Sequence, residues 1–176
     1  MRTNHLKEKI RRGEPANGVL VSWPCPEMVE FFGYLGFDYV FIDAEHGAIG
    51  RESCAALVLA SHAAGITPLV RVPENNPATI LGYLETGAHG VVVPHVSSAA
   101  EAEAVVRAVK YSPLGRRSGS SASRLTGYGA LGTTREYFAW ANDEILVYVE
   151  IEDREGIENL DDILAVPGVD IVGLGP

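Results

Sequence analysis

Residues 68–93 read PLVRVPENNPATILGYLETGAHGVVV. The two ends are apolar runs, Leu69-Val70 with Val72 and Val91-Val92-Val93, hydrophobic at consecutive positions as expected of parallel strands buried on both faces. Between them, Asn76-Pro77 supplies an N-cap and a proline at the first helical position. Ile80, Leu81 and Leu84 form an inward face, and Gly87 is placed to end the helix. Strand, helix and strand in this order make a βαβ unit.

The same alternation extends in both directions. Further strand-like runs are Gly18-Val19-Leu20-Val21-Ser22, Tyr39-Val40-Phe41-Ile42, Ile145-Leu146-Val147-Tyr148-Val149 and Asp170-Ile171-Val172-Gly173-Leu174. Helical stripes are read at Met28, Val29, Phe32 and Leu35 ahead of Gly36, and at Ala55, Val58, Leu59 and His62 ahead of Gly65. Another runs through Ala102, Val105, Val106 and Val109 behind a Ser98/Glu101 capping-box spacing. Six such units predict an α/β protein of the (β/α)8 TIM-barrel class, a fold that typically takes ~250 residues. With 176 residues, the chain is expected to be a single domain, 1–176, forming a partial barrel truncated after about six βα units. The last two strands and the C-terminal helices would be missing. The sequence stops at Gly173-Leu174-Gly175-Pro176 with no finishing helix. Either it is a fragment or its sheet has open edges, which natural proteins avoid, and the fragment is the expectation. Residues 112–134, rich in Gly, Ser and Thr, read as a surface excursion or a loop closing over a site.

The composition, 47% hydrophobic and 21% charged, suits one packed core. A net charge of −9 leaves no basic field for nucleic acid or an anionic membrane surface. No apolar run approaches the roughly 20 residues of a bilayer span, and the first residues lack a secretory pattern, so a cytoplasmic protein is expected. Cys25 and Cys54 read as free thiols of a reducing compartment.

In a parallel barrel the active site lies at the C-terminal ends of the strands, so polar residues there are the candidates. His46 is a candidate general base, because imidazole side chains titrate near neutrality, with Asp43 three residues earlier placed to orient its ring. A loop-capping hydrogen-bond pair is the alternative. Arg71, at the end of the third run, either clamps an anionic substrate or forms a structural ion pair. Glu152 is a candidate ligand of a hard divalent cation, and Glu150 alternates with it along the strand, contributing or lying behind it. His95 follows the fourth run with a weaker claim, and His62 reads as helix packing.

The segments FDYVFIDAEHG, PLVRVPENNP, GAHGVVVPHV, RRSG and VEIEDREGIENL, closing on GVDIVGLGP, resemble the HpcH/HpaI aldolase family of metal-dependent class II pyruvate aldolases over the whole chain. The resemblance implies an aldehyde-lyase that reversibly cleaves a 4-hydroxy-2-keto acid to pyruvate and an aldehyde. It further implies His46 as base with Asp43 as dyad partner, and Arg71 on the keto oxygen. Glu152 would be one carboxylate ligand of Mg, Mn or Co, and Gly175 and Pro176 would begin a loop whose amides cradle the pyruvate carboxylate. The family's second metal carboxylate falls beyond Pro176. A homo-oligomer, a hexamer, is also implied, with no nucleic-acid or membrane partner. Two further readings are an inactive, carboxylate-binding barrel remnant, and a related barrel acting on acyl-CoA or phosphoenolpyruvate. No basic cluster suited to CoA is present to favour the latter. The lysines, Lys7, Lys9 and Lys110, lie away from the strand ends, which argues against Schiff-base chemistry.

Overall fold

The computed structural model describes residues 2–121, 123–130 and 132–175. Six strands, β1 (Gly18–Val21), β2 (Tyr39–Asp43), β3 (Thr67–Arg71), β4 (Gly90–Val93), β5 (Leu146–Ile151) and β6 (Ile171–Leu174), form one sheet in sequence order. Every pairing is parallel, and the sheet curls into a half-barrel. The helices are α1 (His5–Arg11), α2 (Pro26–Tyr34), α3 (Arg51–Ala64), α4 (Pro77–Leu84), α5 (Ala99–Val109), α6 (Thr134–Glu144), α7 (Arg154–Glu158) and α8 (Leu160–Leu164).

The two faces of the sheet bury different partners, following the period of two along each strand. Val40, Ile42, Val70, Val91, Val93, Val147 and Val149 pack with residues of the outer helices, among them Val29, Leu57, Ile80, Val105 and Ile163. Leu69, Val92 and Leu146 face the concave side, where Leu6 of α1 joins them with Phe41 and Tyr148 alongside. Strands covered on both faces explain the consecutive apolar runs.

The six strand readings match the observed strands to within a residue or two. Asn76 caps α4 as its spacing predicts, its side chain accepting from the N–H groups of Ala78 and Thr79. The Ser98 cap is half of the expected box. Its hydroxyl accepts from Glu101 N, but the Glu101 carboxylate accepts from Ser97 N and not from the cap itself. A complete capping box stands instead at Thr133 and Glu136, opening α6, a helix outside the stripes read from the sequence. Two stripes also need rotating. Met28 and Leu35 are exposed on α2 while Val29 is buried, and on α3 the inward face is Cys54, Leu57, Val58 and Ser61 with Leu59 outside. Within 112–134 the chain makes a short 3-10 turn, Arg124–Gly129. Cys25 and Cys54 are both free, and burial raises the Cys54 thiol to about 11.

At the N-terminal end of the strands, burial followed by the charges of Arg2 and Arg124 lowers His62 to about 4. Burial followed by His62, Arg2 and His5 lowers His89 to about 3. Both imidazoles stay neutral in the fold at pH values where an unfolded histidine, with a pKa of about 6.5, takes up a proton. The unfolded chain therefore binds more protons across that window. Their contribution to stability is complete above about pH 6.5 and declines as the pH falls toward 4 and 3. Thermal melts from pH 7 to pH 5 are expected to show a falling Tm, with a shallower fall in His89→Phe. Identical slopes in the two proteins would refute the assignment.

Candidate active site

The β2–β3 register sets Asp43 beside Arg71, so the last residues of two neighbouring strands meet. Arg71 grips Asp43 with both arms of its fork, Nε to Oδ1 at 3.1 Å and Nη2 to Oδ2 at 2.8 Å. Its third nitrogen, Nη1, lies 3.4 Å from Glu150 Oε2, and Nε is also 3.3 Å from Glu45 Oε2. Arg71 keeps 11% of its side-chain exposure and its three acidic partners 10% or less. A desolvated, bidentate cluster of this kind fixes the guanidinium plane. Burial alone would raise the Asp43 carboxyl, but hydrogen bonds from Arg71 and from the backbone N–H of His46 hold it below the usual range. Burial raises the Glu150 carboxyl, with Arg71 pulling against it.

The expected coupling of Asp43 to the His46 ring takes another form. Asp43 Oδ1 accepts from the backbone N–H groups of Glu45 and His46, at 3.2 and 3.1 Å, and so shapes the loop that carries the imidazole. The ring itself is 69% exposed, and its Nε2 is 3.8 Å from Glu45 Oε2. Gly47 lets this loop close, since a Cβ there would stand 2.1 Å from the Asp43 carbonyl oxygen and 2.9 Å from that of Ser22. Both are backbone atoms that cannot step aside. Gly47→Ala is therefore expected to displace His46, read as a shift of its imidazole resonance by NMR, with the bulk fold intact by circular dichroism. An unmoved resonance would show that the loop has slack.

Two residues are more central than the sequence reading made them. Glu45 is buried under the two histidines, its Oε1 3.0 Å from His95 Nε2, while its Oε2 has no hydrogen-bond partner. In the sequence it stands out only as a member of the FDYVFIDAEHG segment. His95 adopts φ +56°, a conformation that costs a side-chain-bearing residue roughly 1–2 kcal/mol. That twist brings its Nδ1 to 2.9 Å and its backbone N to 3.1 Å from Glu152 Oε2. Asp153 is structural: it accepts from Ser97 Oγ at 2.6 Å and caps α7.

Gly175 contributes space. A Cβ there would stand 2.6 Å from Glu152 Oε1, while its N–H donates to the Ile151 carbonyl at 2.9 Å. In this structure that amide is spent inside the protein, against the expected carboxylate cradle, and Pro176 lies outside the described residues. Lys7 and Lys9 pair with Asp170 and Asp38, at 2.8 and 2.6 Å. Lys110 donates to the carbonyls of Asn142 and Ile145, and burial lowers it to about 8. All three sit at the N-terminal ends of the strands, opposite the site.

Among the described residues no three His, Cys, Asp or Glu side chains are already gathered as a cation-holding set. The donor chemistry nevertheless suits a hard divalent ion that keeps waters. Asp43, Glu45 and Glu150 share one arginine, Glu152 meets His95, Gly175 leaves space beside Glu152 Oε1, and Glu45 Oε2 makes no hydrogen bond. No helix among the described residues is long and apolar enough to cross a membrane.

A family model described as HpcH/HpaI aldolase/citrate lyase matches residues 18–176. A 2-dehydro-3,6-dideoxy-6-sulfogluconate aldolase of Pseudomonas putida is 39% identical over 95% of this chain and 64% of its own length. A hydroxypyruvate/pyruvate aldolase of Deinococcus radiodurans is 36% identical over 99% of this chain and 62% of its own. The chain thus spans under two thirds of the length of these relatives. The crystal structure of a HpcH/HpaI aldolase/citrate lyase family protein from Burkholderia cenocepacia superposes with a TM-score of 0.91 at 30% identity. That match covers 99% of this chain and 69% of the other.

Proposed function

Because the chain belongs to the HpcH/HpaI aldolase/citrate lyase family, we propose that it acts as a pyruvate aldolase, an aldehyde-lyase that cleaves a 4-hydroxy-2-keto acid to pyruvate and an aldehyde. The observation that carries this reading is that one fixed cation, Arg71, and one exposed imidazole, His46, stand over the same buried carboxylate, Glu45. A base and an anion-stabilising group held together are what retro-aldol chemistry requires. The aldolase names of the two relatives support a 2-keto acid as donor. In this reading the six strands belong to an eight-stranded barrel, the working form is a homo-oligomer such as a hexamer, and the ligands are small molecules.

His46 removes the proton of the C4 hydroxyl. The C3–C4 bond then breaks, its electron pair becoming the pyruvate enolate while C4 leaves as the aldehyde carbonyl. Arg71 faces the developing charge with a guanidinium already oriented by Asp43. The proton taken up by His46 returns, directly or through water, to the enolate at C3, which gives pyruvate and restores the basic imidazole. Glu152, with water and further donors, would hold a divalent cation such as Mg, Mn or Co, whose contribution is to polarise the keto-acid carbonyl. With every lysine on the opposite face, no covalent imine to substrate enters the scheme.

The test is exchange of the C3 protons of pyruvate in deuterated water, followed by NMR with added Mn or Mg and again with EDTA. Metal-dependent exchange that EDTA abolishes supports the proposal. Absence of exchange in a folded sample favours the alternative of an inactive, carboxylate-binding remnant. For the metal ligand, Glu152→Gln is expected to weaken Mn binding by about tenfold or more, read by electron paramagnetic resonance of the free ion. Wild-type affinity in the variant would remove Glu152 from the role.

A further inference from the structure

On the N-terminal face, opposite the strand-end site, a cavity of about 430 Å³ opens between α3, α6 and the residues that lead into β4 and β5. Its walls include Leu59, His62, His89, Leu125 and Trp140, with Arg2 and Arg124 also lining it. His89 directly precedes β4, and its ring lies 4.9 Å from that of His62 and 5.8 Å from Trp140, centroid to centroid. The result is a row of three flat side chains bordering an opening of ligand size.

The two imidazoles in this row have ring nitrogens without partners among the described residues. His89 is 6% exposed, and neither of its ring nitrogens has a hydrogen bond among the described residues, although His89 lines this cavity and the one beside it. His62 Nε2 is buried without a partner. Buried polar atoms are ordinarily satisfied, and the unpartnered His62 Nε2 beside this cavity calls for a reason. Among the residues lining the cavity the charged ones are Arg2 and Arg124, and none is acidic. Arg2 Nη1 donates to the His62 carbonyl at 3.0 Å and Arg124 Nη1 to the Thr86 carbonyl at 2.9 Å, leaving the rest of each fork for an incoming anion. In a chain of net charge −9 this is a local excess of cations around an aromatic pocket.

We infer that this cavity is a binding site for a small aromatic carboxylate, separate from the catalytic centre. The ring of such a ligand continues the His62–His89–Trp140 row, its carboxylate meets Arg2 and Arg124, and a ring hydroxyl satisfies an imidazole nitrogen. An inorganic anion would leave the apolar walls of Leu59, Leu125 and Trp140 uncovered, and a neutral aromatic would leave the two guanidinium groups unanswered.

The probe is 4-hydroxybenzoate, titrated into the wild-type protein while the imidazole resonances are followed by 15N NMR, with 4-hydroxybenzyl alcohol as the neutral comparison. The expected result is a saturable shift of His62 and His89 with His46 and His95 unmoved, at an affinity about tenfold or more above that for the alcohol. Arg124→Gln is expected to weaken binding by about tenfold. Arg2→Gln, which gives up one exposed hydrogen bond to the His62 carbonyl, should do the same, and melting curves of both variants guard against a folding defect. Three results overturn the inference: no saturation up to roughly 10 mM, equal affinity for the alcohol, or shifts confined to His46 and His95, which would place the acid in the strand-end site.

Discussion

His46→Ala is expected to lower aldol turnover by about 100-fold or more while leaving the fold and metal affinity intact. The ring projects from a loop whose shape is set by backbone hydrogen bonds to Asp43, and at 69% exposure it supports no packing. Its loss should therefore appear in kcat and not in Tm. The comparison that isolates the base is steady-state cleavage of a 4-hydroxy-2-keto acid by the wild type and the variant, beside their melting curves. Activity within a few-fold of wild type would transfer the proton-abstracting role to another group, with His95, on the other side of Glu45, first in line.

Arg71 carries the second large effect, and here stability and catalysis fall together. Arg71→Ala removes the cation from a cluster in which Asp43, Glu45 and Glu150 are all nearly closed to water. Breaking a buried pair by deleting one partner typically costs about 3–5 kcal/mol, because the remaining charges stay behind. Arg71→Lys keeps the charge but not the fork, so it should retain most of the stability while lowering kcat/KM by roughly 100-fold. Denaturant melts and kinetics on both variants separate the two contributions. A lysine variant with unchanged kinetics would make Arg71 a structural ion pair only.

The strands were legible because burial on both faces writes uninterrupted apolar runs such as Val91-Val92-Val93, and the helices that pack on them leave caps such as Asn76. Residues whose role depends on distant neighbours were not. Met28 and Leu35 share a helical spacing with Val29, and nothing local says which side faces the sheet. The Thr133 cap sits at the end of a Gly- and Ser-rich stretch that hides the helix behind it. Asp43, His46, Arg71 and Glu152 stood out at strand ends, whereas Glu45 drew no reading of its own beyond its place in FDYVFIDAEHG. Only three-dimensional closure brings Arg71, His46 and His95 to its two oxygens, and the twist at His95 that completes the contact has no mark in the sequence.

That shared carboxylate has a consequence for how the site responds to change. Arg71, His46 and His95 all meet Glu45, at 3.3, 3.8 and 3.0 Å, so altering any one of them changes the field felt by the other two. Groups in one network do not contribute independently, and coupling energies of roughly 0.5–3 kcal/mol are usual for such neighbours. Double-mutant cycles around Glu45 should therefore fail to sum, and once Glu45 is replaced the separate losses at His46 and His95 should shrink. A substitution that is damaging in the intact site would then be nearly silent in one already disrupted, so the order in which changes accumulate decides which of them can be tolerated.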